Sequence, residues 1–280
     1  FNEDISGWDT SLVTNMSCMF YTAFSFNQPI GAWNVSNVQN FTSMFGHACT
    51  FNQPIGQWDT SNAIIMSFMF CGASSFNQPI GDWNTSKVVH MNGMFQFTSQ
   101  FNQSIGSWDT SNIVSMEGMF HTTEQFNQPI GSWNTSNVIS MEGMFMHAAA
   151  FNQPIHRWNT FSLKYIYYMF YDAYKFNQPL PRWKPSYKLE MVLWNARSFH
   201  QPIQEWIADE ILHQFTTDPA RYLVGYQCMS YFLLLEFVGA FVVDCDHDVG
   251  GNNNINHIFS MDCTTCHIFS FVYTMEIPNR

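Results

Sequence analysis

A run of 25 residues recurs down this chain without insertion or deletion for seven copies, and few folds tolerate that. Phe1, Phe26, Phe51, Phe76, Phe101, Phe126, Phe151 and Phe176 open the copies, and Trp8, Trp33, Trp58, Trp83, Trp108, Trp133, Trp158 and Trp183 mark their eighth positions. A fixed period of 20–50 residues is the mark of a repeat array, in which each unit touches only its neighbours. One copy cannot bury its own Phe and Trp, but eight stacked copies bury a continuous column of them. Each large side chain so buried contributes about 1.5–3 kcal/mol. The recurring Phe, Ile, Trp and Met are therefore core rather than the lining of a cofactor site, and no cofactor is expected.

Numbered from its Phe, a copy is apolar at positions 1, 5, 8, 13, 16, 19, 20 and mostly 23. Gaps of three and four from 13 to 23 predict a short helical or 3₁₀ turn with one buried face. The preceding Asp/Asn-Thr-Ser-Asn, as in Asn134-Thr135-Ser136-Asn137, offers oxygens to the free N–H groups of a helix start. Pro29, Pro54, Pro79, Pro129 and Pro154 at position 4 cannot donate a ladder bond, so a parallel strand is expected at positions 5–8. The fold class that follows is an α/β repeat solenoid, a leucine-rich-repeat type of coil with one strand and one helical turn per copy. Asn at position 2 and Gln at position 3 predict amide ladders between turns. Gly at position 6 predicts close backbone packing. Position 9 alternates Asp9, Asn34, Asp59, Asn84, Asp109, Asn134, which spaces the carboxylates and suggests a further ladder. Calcium would need six to eight converging oxygens, which single spaced carboxylates do not supply.

Residues 1–150 hold one basic side chain, Lys87, against nine acidic ones, which argues against nucleic acid. Residues 151–200 reverse the balance, with seven basic side chains against Asp172 and Glu190. That segment suits an anion site or a solvated end turn. Cys18, Cys49 and Cys71 occupy three different positions of the copy, so no ladder of bridges is expected and they read as small apolar side chains. The histidines scatter, no nucleophile–base–acid set can be placed, and the chain is not expected to be an enzyme.

The array is assigned to residues 1–206, its last copy degenerate and capping, and a non-repetitive tail to 207–280. Residues 222–243, from Tyr222 to Val243, form an apolar run of 22 residues. It reads as a helix covering the open core, as a membrane segment at the cost of Gln227 and Glu236, or as an unordered or misassembled gene end; a central acidic residue costs about 2.5–3.5 kcal/mol. Cys263-Thr264-Thr265-Cys266-His267 fits the haem attachment pattern by chance alone, and a zinc set of Cys245, His247, Cys263 and Cys266 has no register to support it. Glycosylation sequons at Asn15, Asn34, Asn40, Asn84, Asn102 and Asn134 mostly fall out of the repeat consensus. The chain starts on a repeat boundary without an initiator Met and reads as a fragment, so a missing signal peptide says nothing of compartment.

The motif F-N-Q-P-I-G-x-W-[DN]-T-S-N-V-x-x-M-x-x-M-F-x-x-A resembles the repeat of BspA-like leucine-rich-repeat surface proteins, including the lipoprotein-type repeats of Mycoplasma and Listeria. The resemblance covers residues 1–206. It implies a right-handed solenoid displayed at the cell surface or outside the cell, a role in adhesion for some members, and no catalytic motif. The expected partner is then a protein or glycan. The expected contact surface is the varied position 7, with Gln57, Asp82, Ser107, Ser132, Arg157 and Arg182. A passive spacer or self-assembling surface-layer module is the alternative. A second alternative is an ice- or surface-ordering face made from Thr10, Thr60, Thr85, Thr110, Thr135 and Thr160, which requires those hydroxyls to be exposed.

Overall fold

A computed structural model of the protein describes residues 1–180 and 192–201. Successive copies lie side by side in register. Single-residue parallel bridges join Asn15, Asn40, Ile65, His90, Ser115, Ser140 and Tyr165, each to the same position of the next copy. Around them the backbone follows a strict division of labour. In the fifth copy the N–H groups of Met116, Gly118, Phe120 and Thr122 donate to the carbonyls of Ser140, Glu142, Met144 and Met146 of the sixth. The intervening N–H groups of Met119, His121 and Thr123 donate within the copy, three residues back, to Met116, Gly118 and Phe120. The remaining N–H, of Glu117, donates to Ser115 Oγ at 3.4 Å, so every N–H of this segment has an acceptor.

Two expectations for the local elements are corrected here. No helix occupies positions 13–23 in any described copy, because positions 18 and 22 are left-handed throughout. Ser43, Phe68 and Tyr168 have φ of 52–57°, and His47, Phe97, Thr122 and His147 have φ of 56–59°. A left-handed residue every fourth place breaks a right-handed helix into separate turns. Those turns are three to four residues long, so they bury positions 13, 16, 20 and 23 with the same spacing a helix would. The strand expected at positions 5–8 is also absent. The Trp N–H closes a turn onto the Ile5-type carbonyl at 3.0–3.2 Å, with positions 6 and 7 at its tip. Pairing between copies falls at position 15 instead, and it is one residue long.

The core is aromatic and continuous. The position-20 ring of each copy stacks on the position-1 ring of the next at 3.9 Å, as in Phe95–Phe101 and Phe120–Phe126. From copy to copy the position-20 rings repeat at 5.5–5.8 Å and the position-1 rings at 5.8–6.1 Å. Trp108 is 4% exposed and Phe120 fully buried. The indole N–H of each Trp from Trp33 to Trp158 donates to the position-5 carbonyl of the preceding copy at 3.1–3.2 Å. The column continues at Phe199, which opens the successor of the shorter eighth copy and lies 6.0 Å from Phe176.

Side chains complete the seams. The Asn2 to Asn177 carboxamides accept the position-2 N–H of the following copy at 2.8–3.0 Å, and His200 takes that place after Asn177. Gln53, Gln78, Gln103, Gln128 and Gln153 donate back to the preceding Asn carbonyl at 2.9–3.0 Å, so the expected amide ladder is present. Position 9 is not a ladder. Its Asp and Asn oxygens accept the N–H two residues on, as Asp109 does from Ser111 at 3.0 Å, and so stay within their own copy. The serine hydroxyl and N–H hold Asp9, Asp59 and Asp109 below the usual carboxylate range. The threonines at position 10 are buried from Thr10 to Thr135, their hydroxyls donating to the next copy's position-9 carbonyl at 2.8–3.0 Å. An ice-ordering face needs exposed hydroxyls in a row, and these are consumed in the seam.

Gly at position 6 is dictated by this packing. A Cβ on Gly106 would sit 2.5 Å from the Pro129 carbonyl oxygen, whereas one on Gly7 would meet nothing within 4 Å. Gly106→Ala is therefore expected to destabilise by about 1–3 kcal/mol, and Gly7→Ala to stay within about 0.5 kcal/mol of the parent, both read from urea unfolding. Phe120→Ala, which opens the aromatic column, is expected to cost about 3–5 kcal/mol in the same assay.

Candidate recognition surfaces

Position 7 sits at the tip of the turn closed by Trp, so its side chain faces solvent whatever it is. Gln57, Asp82, Ser107, Ser132 and Arg157 are exposed, one per copy along a single line. Arg182 lies outside the described residues. Ser107 and Ser132 donate to the carbonyls of Gly81 and Gly106 at 2.9 Å, which binds them to the frame. Each side chain projects from its own turn, one per copy. The line can offer separate contacts to a large partner.

Positions 14, 15 and 17 form a second surface that position-by-position reading of the sequence does not isolate. The flattened turns leave position 14 apolar and half-covered, with Val114 and Ile139 side by side. Beside them run Ser115 and Ser140, then Glu117 and Glu142. Tyr165 of the seventh copy closes one end. These seven residues line an open groove of about 360 Å³. Burial and the neighbouring Glu117 push the Glu142 carboxyl above its usual range. At position 14 the backbone is already paired, Val114 N–H with the Val89 carbonyl and Ile139 N–H with that of Val114.

A third surface is the ridge at positions 21 and 22. Gln96 Nε2 lies 2.8 Å from His121 Nδ1; the amide donates and the ring nitrogen accepts. The His121 ring stacks on His147 with centroids 5.9 Å apart, and His147 Nδ1 lies 3.1 Å from Asp172 Oδ2. Asp172 in turn accepts from Asn195. Burial, and then the adjacent His147, lower the pKa of His121. Among the described residues no three His, Cys, Asp or Glu side chains are grouped to hold a metal. Cys71, half-buried, has its thiol pushed up by burial and is not poised as a nucleophile. The zinc and haem motifs of the tail lie outside the described residues, as does the apolar run 222–243. Among the described residues no helix is long and apolar enough to cross a membrane.

The depressed value of His121 fixes the sign of a pH effect. As pH falls below about 6.5 the unfolded chain takes up this proton before the folded one. The stability contributed by neutral His121 is therefore complete above that pH and is lost on further acidification. Stability measured by denaturant at pH 7 and pH 5 is expected to fall more for the parent than for His121→Gln, which has no ring to protonate.

No curated protein and no solved structure matches the chain. The model of one family does, over residues 1–106 and again over 91–206, which together take in every described copy and the whole repetitive stretch. The chain belongs to the family described as Mycoplasma protein of unknown function, DUF285.

Proposed function

We propose that this chain is a non-enzymatic recognition scaffold of the BspA-like leucine-rich-repeat kind. In this reading it is a right-handed solenoid at the cell surface or outside the cell, and it binds protein or glycan through exposed side chains. The observation that carries the reading is the contrast between columns. Positions 1, 2, 5, 8 and 20 hold one residue type through nearly every copy and are consumed in the core and seams. Position 7 changes from Gln57 to Asp82, Ser107 and Arg157 on that same frame while staying exposed. A repeated rigid frame carrying one changing exposed column is how repeat proteins build extended binding faces.

The spacer or self-assembling reading has one observation in its favour, the acidic body of residues 1–150 against the basic stretch of 151–200. Oppositely charged ends favour association of copies of the chain, weakening with salt. One experiment separates the two. The recombinant chain is screened on glycan arrays and on a panel of extracellular matrix and surface proteins, while its mass is followed by sedimentation. A micromolar ligand that weakens about tenfold or more on Gln57→Ala with Asp82→Ala and Arg157→Ala is the expected result. Blank panels with salt-sensitive self-association would support the spacer instead.

A further inference from the structure

We propose that the groove between the fifth and seventh copies is a subsite for an arginine side chain of a protein partner, the guanidinium held between Glu117 and Glu142 and its stem laid on Val114, Ile139 and Tyr165. This rests on the recognition reading above and names the chemistry of one site within it.

The argument starts from what the groove lacks. Glu117 and Glu142 occupy the same position in adjacent copies, about 5 Å apart by the spacing of paired backbones. Among the described residues neither carboxylate has a hydrogen-bond or ion-pair partner. Elsewhere the chain avoids this arrangement. At position 9 Asp alternates with Asn, so no two carboxylates are adjacent, and each accepts from its own serine. At position 17 two carboxylates follow one another, and the result is repulsion that a bound cation would relieve. Lys87, the single basic side chain of residues 1–150, is already engaged by Asn62 Oδ1 at 2.7 Å and does not serve.

The remaining walls select which cation. The groove walls are mostly apolar, with Val114, Ile139 and Tyr165, and among the described residues no third acidic, His or Cys side chain joins the two glutamates to hold a bare metal ion. A long side chain with an apolar stem and a charged head covers such a wall while presenting its charge. A guanidinium is planar and carries donors along two edges, so one group can serve two carboxylates a copy apart; an ammonium acts as a point charge. The ring of Tyr165 at the groove's end offers a stacking face for the same plane. The body's excess of acidic side chains adds long-range attraction for a basic partner.

The test uses the full chain and three acetylated, amidated pentapeptides of sequence glycine–valine–X–valine–glycine, where X is arginine, lysine or citrulline, titrated by NMR at low salt. Citrulline keeps the shape of arginine and removes its charge. The arginine peptide is expected to bind about tenfold or more tightly than the citrulline one, with lysine between, and to shift the amide signals of residues 114–117 and 139–142. Glu117→Gln with Glu142→Gln is expected to abolish that preference without lowering the thermal midpoint. Asp59→Asn with Asp109→Asn changes net charge by the same amount, reproduces the Asn found at position 9 of neighbouring copies, and is expected to leave it intact. Equal affinity for arginine and citrulline, or loss of affinity in both double variants alike, would overturn the subsite. A panel ligand that is unaffected by Glu117→Gln and Glu142→Gln and maps to position 7 would leave the recognition reading standing without it. Blank panels together with silent peptides would remove both.

Discussion

The hydrogen bonds that run from one copy to the next at positions 16, 18, 20 and 22 set the pitch to which everything else is fitted. Paired backbones approach to about 4.8 Å. Side chains on the same position must then tolerate a neighbour of the same kind at that distance. Aromatic rings do so by lying nearly parallel and offset, here with centroids 5.5–6.1 Å apart and planes within about 10°. Asn and Gln do so by trading amide bonds up and down the column. Gly does so at position 6 because the next carbonyl fills the place of a Cβ. The near-invariance of these positions is a consequence of one distance imposed many times.

Departures from the consensus obey the same accounting. Position 23 is Ala in most copies but Thr98 and Thr123 in the fourth and fifth, fully buried in each case. Their hydroxyls donate at 2.6 Å to the position-20 carbonyls of Phe70 and Phe95 in the preceding copies. In both copies the hydroxyl entered the core with a carbonyl within reach, which offsets the cost of burying it. Where the array changes character, in the seventh copy, the new residues are large and outward. Phe161 is 77% exposed, and Tyr165 and Tyr168 are partly so.

The core was legible in the sequence because burial has a period, and the period survives whatever local geometry produces it. Phe1-type, Ile5-type and Trp8-type positions could be assigned inward from spacing alone, and the amide ladder from repetition of Asn and Gln. The turns between them could not. Left-handed residues usually announce themselves as glycine, and Gly72, Gly93, Gly118 and Gly143 do so in four copies, but positions 18 and 22 elsewhere hold Ser43, Phe68, Tyr168, His47, Phe97 and Thr122. Their conformation is imposed by bonds to another copy, which a reading of one copy does not contain. The same blindness misplaced the threonines, whose partners are 24 residues away. The exposed line at position 7 was legible as variation. The groove was not, since it combines three positions from three copies. The one available signal was Glu117 followed by Glu142 in the same register, where position 9 never repeats an acid.

The pitch also limits how a peptide can be read along the stack. An extended chain advances about 6.6 Å between side chains on one face, while the copies advance about 4.8 Å. A strand laid parallel to the stack therefore slips about 1.8 Å per copy, and after three copies it is out by a whole one. Recognition along a straight column is confined to two or three consecutive copies unless the partner repeats at the same pitch. The groove from Val114 to Tyr165 spans three copies and ends where the aromatic seventh begins. A partner that crosses the stack meets a different restriction, because position 7 and the groove present different columns of the same copies. A ligand that contacts both must be broad and folded, while one held in the groove alone is a short segment anchored by one side chain.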